Sequence, residues 1–228
     1  MKMATEAYQP TDRRPIASRD RRFWQKIATL LAARHVSPNF ISVAGMIAGI
    51  AAGLLLTATR FAEDGWLERA LWLAAAAAIQ LRLIANMLDG MVAIACQRAS
   101  QLGELYNELP DRVSDAAIII GAGYAVGGLP TLGYIAACIA IFIAYVRAVG
   151  KAAGASNLFL GPMAKPHRMF VLTITALLMA ALPQNWQPSW GDQHAGFASL
   201  GLTLIIVGGL WTVLRRLALI VAYLRGPN

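Results

Sequence analysis

Six stretches of about 20 mainly apolar residues follow one another after residue 37, joined by polar connections. They fall near 38–58, 68–93, 111–128, 131–151, 167–184 and 197–222, each long enough for a membrane-spanning helix. Pro110 stands just before the third, and Pro is tolerated in a helix's first turn, so that helix is expected to open there. Ahead of the spans, Phe23, Trp24, Ile27, Leu30 and Leu31 recur at helical spacing, with Arg19, Arg21, Arg22, Gln25 and Lys26 on the polar side. A basic amphipathic helix of this kind lies among lipid headgroups with its apolar face down. The expected organisation is a disordered tail over 1–17, a juxtamembrane amphipathic helix over 18–36, and a six-span domain over 37–228. The fold class is therefore an all-α integral membrane protein.

Composition supports this. The chain is 57% apolar and only 14% charged, with a mean hydropathy of +0.54, which sets it apart from soluble domains. The net charge of +8 does not point to nucleic acid, because the basic residues sit beside apolar spans. Of the 20 Lys and Arg, only Arg60 and Arg69 flank the ends away from the termini, and the 185–196 connection has none. Six spans place both termini on one side, and the charge bias makes that side cytoplasmic, as in a bacterial inner membrane. Arg82, Arg98 and Arg112 enter this tally as flanks of the connection near residue 100. No apolar h-region with a small-residue cleavage site opens the chain, so no secretory signal is expected. Cys96 and Cys138 stand alone and read as packing residues, and the alanine run from Ala74 to Ala78 suits close helix contact.

The run "NMLDGMVAIACQRASQLGELYNELPDRVSD", residues 86–115, breaks the apolar pattern. Asn86, Asp89 and Ala93 share one helical face at the end of the second span. Gly103, Asn107, Asp111 and Asp115 share another as the third begins. Two antiparallel helices joined by a short turn can bring these faces together. The oxygen-rich cluster that results, with no His in it, suits a hard cation such as Mg²⁺ or Mn²⁺. Asp89 is the sharpest case, because an acid inside an apolar run is costly and functional by default. Glu104 and Glu108 could equally be solvated helix-start acids.

The pattern Asn86-x2-Asp89-Gly90-x2-Ala93-Ile94-x8-Gly103-x3-Asn107-x3-Asp111 resembles the signature of the CDP-alcohol phosphotransferases, D-x2-D-G-x2-A-R-x8-G-x3-D-x3-D. Every spacing agrees, and "HVSPNFISVAGMIAGI" resembles the opening of that family's first span. The resemblance implies a transferase of phospholipid biosynthesis that moves a phosphatidyl group from a CDP-linked lipid donor, such as CDP-diacylglycerol, to an alcohol and releases CMP. It also implies a homodimer and two divalent ions, Mg²⁺ or Mn²⁺. Carried over by position, Asp111 is the base for the acceptor hydroxyl and a metal ligand. Asp89 is a ligand, Asn86 and Asn107 occupy ligand positions, and Gly90, Ala93 and Gly103 admit the CDP moiety. Arg147, Lys165 and Arg168 resemble the family's acceptor-binding cations and favour a phosphorylated acceptor, although binding of lipid headgroups is the other use for such a trio.

Asn86, Asn107 and Ile94 depart from the signature. An Asn oxygen coordinates a hard metal but brings no charge, so the second ion is expected to be weakly held. Asp115, one turn past Asp111, is a candidate metal ligand that could restore charge, as could Glu104 or Glu108. Arg98 could supply the nucleotide contact missing at Ile94. The alternative function is a catalytically silent relative that binds CDP-lipid or metal as a regulatory or assembly partner. A six-span transporter would need a polar midplane site or broken helices, and neither is visible.

Overall fold

Pro38 opens the first long helix behind an extended Ser37, in the first turn, where the N–H it lacks would have no helical partner. The computed structural model describes residues 21–96, 101–155, 161–183, 186–191 and 194–226, the side chains of Gln101, Leu102 and Glu104 aside. The expectations for the tail (1–17), for residues 18–20 of the amphipathic helix, for Arg98 and for the Glu104 side chain fall outside these residues. The helices are α1 (Arg22–Ala33), α2 (Pro38–Ala58), α3 (Gly65–Ala95), α4 (Gln101–Tyr124), α5 (Pro130–Ala152), α6 (Lys165–Ala181) and α7 (Phe197–Arg225). A short 3-10 turn, Thr59–Phe61, follows α2. The described residues contain no strand, only one isolated bridge between Trp190 and Ala195.

The six long helices close into a ring. α2 lies between α3 and α4, α5 between α4 and α7, and α6 joins α7 back to α3. Without a hydrophobic drive between helices in lipid, close approach depends on small residues. A Cβ on Gly53 would land on the carbonyl of Ala117, one on Gly121 on the backbone of Gly53, and one on Gly49 on the Ser114 side chain. α2 and α4 therefore touch almost backbone to backbone. Trp72, Ala75, Ala76 and Ile79 of α3 and Ile118 and Ile119 of α4 fill the centre, so the alanine run packs inside through Ala75 and Ala76 while Ala74 and Ala77 stay exposed.

Among the described residues, four helices are long and apolar enough to cross a membrane: Pro38–Phe61, Gly65–Ala95, Pro130–Ala152 and Phe197–Arg225. α4 departs because Glu108, Asp111, Arg112 and Asp115 load its first half with charge. α6 has 17 residues, about 26 Å at 1.5 Å per residue, and opens on Lys165, His167 and Arg168.

Two local expectations need correction. α4 starts at Gln101 and runs through Pro110, so that residue is interior and not in the first turn. The polar stretch before Pro110 is itself helical, which the proline obscured in the sequence. The amphipathic helix α1 divides its apolar face: Trp24, Ile27, Ala28 and Leu31 pack with Ile41, Leu88 and Val92, while Phe23 and Leu30 stay exposed. Its docking ground is the end of α3 that carries Asp89. At the opposite end of the bundle, exposed Phe61, Trp66 and Trp186 form the kind of aromatic belt that marks a membrane boundary.

Candidate functional site

Helical spacing sets Arg82, Asn86 and Asp89 on one face of α3, and Asn107, Asp111, Ser114 and Asp115 on one face of α4. The tight crossing of α2 against α4 brings Ser42 alongside. Asn86 Nδ2 donates to Asn107 Oδ1 at 3.0 Å and to the two Asp111 oxygens at 3.0 and 3.1 Å. The N–H₂ end of the Asn86 amide thus faces the Asp111 carboxylate. Ser42 Oγ donates to Asp89 Oδ2 at 2.7 Å, and the backbone N–H of Gly90 donates to Asp89 Oδ1. Asn86, Asp89, Asn107 and Asp111, expected to converge, thus stand in one polar group. Ser42, Gly45, Met46, Arg82, Asn86, Asp89 and Asp111 line a small open cavity there of about 10 Å³, room for about one water.

Asp115 does not join that group. It is buried deeper on α4, with Oδ1 at 2.7 Å from Arg82 Nη2 and Oδ2 at 2.8 Å from Arg168 Nη2. Both oxygens are held by guanidinium groups, so its expected role as a metal ligand gives way to a structural one. Arg168 is likewise withdrawn from an acceptor-binding trio, because it is 1% exposed and spans Asp115 and the Met163 carbonyl. Lys165, at the start of α6, pairs with Asp111 Oδ2. Arg147 pairs with Glu108, which Arg112 also reaches at 3.2 Å. Glu108 precedes the apolar part of α4. Burial works against its charge, yet Arg147 and Arg112 outweigh that and hold its carboxyl below the ordinary range. Gly90, Ala93 and Gly103 are half-buried near the facing ends of α3 and α4, whereas Ile94, in place of the signature's Arg, is exposed.

Arg82 is the residue that sequence reasoning missed. Counted as a flanking charge, it is 1% exposed inside the bundle. Its Nε donates to Ser114 Oγ at 3.0 Å, and its Nη2 reaches Asp111 Oδ1 at 3.2 Å as well as Asp115. The signal was available: Arg82 precedes Asn86 by four residues and Asp89 by seven, on the same face.

The donor set does not fit two divalent ions. Only Asp89 and Asp111 of the four positions carry charge, Asn86 presents its amide N–H₂ to the group, and Asp111 already faces Arg82 and Lys165. Among the described residues no three His, Cys, Asp or Glu side chains converge as metal ligands.

A model of the CDP-alcohol phosphatidyltransferase family matches residues 35–221. The inner membrane protein YnbA of Escherichia coli is 25% identical over 182 residues, 80% of this chain and 83% of that one. The phosphatidylinositol phosphate synthase of Cutibacterium acnes is 28% identical over 197 residues, 84% of this chain and 88% of that one. Among solved structures, the phosphatidylinositol phosphate synthase of Mycobacterium tuberculosis with CDP-DAG bound aligns with a TM-score of 0.68 at 22% identity, covering 88% of this chain and 94% of its own. The same synthase in complex with manganese and citrate gives 0.70 at 21%, covering 87% and 89%. At that identity the structural likeness establishes the fold.

Proposed function

The chain belongs to the CDP-alcohol phosphatidyltransferase family, and we propose that the polar group between α2, α3 and α4 is its site of transfer. It is a membrane transferase of phospholipid synthesis, moving a phosphatidyl group from a CDP-linked lipid donor to an alcohol. The observation that carries the site is the meeting of three motif positions, Asn86, Asp89 and Asp111, around one small cavity, with the fourth, Asn107, hydrogen-bonded to Asn86. In this reading Asp111 takes the proton of the acceptor hydroxyl as its oxygen attacks phosphorus, and CMP leaves. Asp89 is fixed by Ser42 and the Gly90 N–H. Gly90, Ala93 and Gly103 leave room at the helix ends for the nucleotide.

The family is metal-dependent, and one relative's structure holds manganese. The residues here do not suit a pair of such ions, for the reasons of charge given above. With Arg168 buried against Asp115, Arg147, which is half-buried and paired with Glu108, is assigned to an anionic acceptor. Relatives named for inositol phosphate products favour a phosphorylated polyol in that role. The remaining parts of the reading are six spans, with α4 and α6 completing the four apolar ones, cytoplasmic termini in a bacterial inner membrane, and a homodimer resting on the family likeness.

Purified protein given radiolabelled CDP-diacylglycerol and a panel of alcohols tests the reading. CMP release that depends on the alcohol is expected. A second reading, a silent relative that only binds donor, is favoured by the cations already seated on Asp111. It predicts donor binding with no CMP from any acceptor.

A further inference from the structure

A nucleotide diphosphate entering a cavity must meet positive charge before its phosphorus can be approached. In this cavity the positive charge comes from the protein itself. Arg82 lines the wall, buried, with Nε on Ser114 and Nη2 on Asp111 and Asp115, while its Nη1 has no partner among the described residues. A buried guanidinium nitrogen left unmatched beside a cavity is a donor awaiting an acceptor. Lys165 reaches the same carboxylate, Asp111, from the start of α6.

The anionic side of the site has been reduced to match. Among the described residues that line the cavity, Asp89 and Asp111 are the carboxylates, and the neighbouring Asp115 is consumed by Arg82 and Arg168. Asn86 and Asn107 are hydrogen-bonded to each other, and Asn86 turns a donor, not a lone pair, toward Asp111. A divalent ion brought here would face two fixed cations and few ligand charges. A diphosphate would face the reverse. Arg recognises phosphate through paired N–H donors, and Lys does so as a point charge.

We propose that Arg82 and Lys165 stand where the family uses divalent metal, so that this chain binds the diphosphate of a CDP-linked donor without a bound metal ion. The inference rests on the reading that this cavity receives the donor. Asp111 keeps the two cations apart and in place until the diphosphate arrives, and Ser114 holds the Arg82 guanidinium in line.

The test uses the full chain in detergent, with CDP-diacylglycerol as the probe and EDTA or Mn²⁺ in the buffer. Donor affinity should agree within about 3-fold between the two conditions, and Mn²⁺ counted by electron paramagnetic resonance should stay below one ion per chain. Lys165→Met should weaken donor binding in EDTA by about 10-fold or more, and Lys165→Arg should retain it. Because Arg82 also neutralises buried Asp115, its removal would unsettle the fold, so the informative second variant is Asn86→Asp/Asn107→Asp/Lys165→Met. It should bind Mn²⁺ and should hold the donor only when that ion is present. Donor binding by the parent that disappears in EDTA with circular dichroism unchanged would overturn the proposal, as would two Mn²⁺ per parent chain. Donor held in EDTA but never turned over supports it while removing the transferase role of the site. Donor held only with Mn²⁺ and turned over does the opposite, and donor bound under neither condition removes both.

Discussion

Replacing Asp115 with Asn separates two roles for that residue by the size of the stability loss. Its carboxylate lies between Arg82 Nη2 at 2.7 Å and Arg168 Nη2 at 2.8 Å, with side-chain exposures of 3%, 1% and 2%. Asn keeps the shape but removes the charge and points an N–H₂ at one guanidinium. Breaking a buried ion pair by deleting one partner costs about 3–5 kcal/mol, because the remaining charge is left uncompensated. In a chain of 228 residues, at about 2–4 °C per kcal/mol, that is a fall in apparent Tm of roughly 6–20 °C. Thermal unfolding followed by the fluorescence of buried Trp72 in detergent would measure it. Asp115→Glu, which keeps the charge and only overpacks, should lose less, about 1–3 kcal/mol. A Tm within 2 °C of the parent (about 0.5–1 kcal/mol), together with a higher Mn²⁺ requirement, would refute the structural role and return Asp115 to the metal ligands that its spacing suggested.

Asp111→Asn should cut turnover by roughly 100-fold or more with donor affinity largely kept, since an amide cannot accept the hydroxyl proton. Its Tm should fall less than that of Asp115→Asn, because the Asp111 side chain is 14% exposed and Arg82 keeps Asp115; full turnover would remove it from the chemistry. Arg147→Ala should raise the acceptor KM about 10-fold for a phosphorylated acceptor and leave the donor KM unchanged, while equal effects on both substrates would point to a structural tie with Glu108. In a background lacking Cys96 and Cys138, cysteine at the exposed Glu63 should react with an impermeant maleimide added outside the cell, and cysteine at the exposed Arg34 should not. The inverse pattern would reverse the orientation.

Most of the helices could be read from the chain because the partition between lipid and water is decided locally, residue by residue. α2, α5 and α7 begin within a residue of where the apolar pattern begins. The motif positions could be read as well, because 3.6-residue periodicity alone puts Asn86 with Asp89 and Asn107 with Asp111. The start of α4 was hidden, since Pro110 looks like a first-turn residue until the helix ahead of it is seen. Charge was harder still. From sequence, Arg82 is a flank, Asp115 a spare ligand and Arg168 an acceptor contact, each a reasonable reading of neighbours within a turn or two. Their pairing spans α3, α4 and α6 and joins residues 33 and 53 positions apart. No local rule chooses such partners. The choice falls to the helix crossings, where Gly49 and Gly53 let α2 and α4 nearly touch and so set Ser114 against the Arg82 guanidinium. A buried charge must then take whichever opposite charge the packing leaves within reach, because at that depth water is not there to serve either of them.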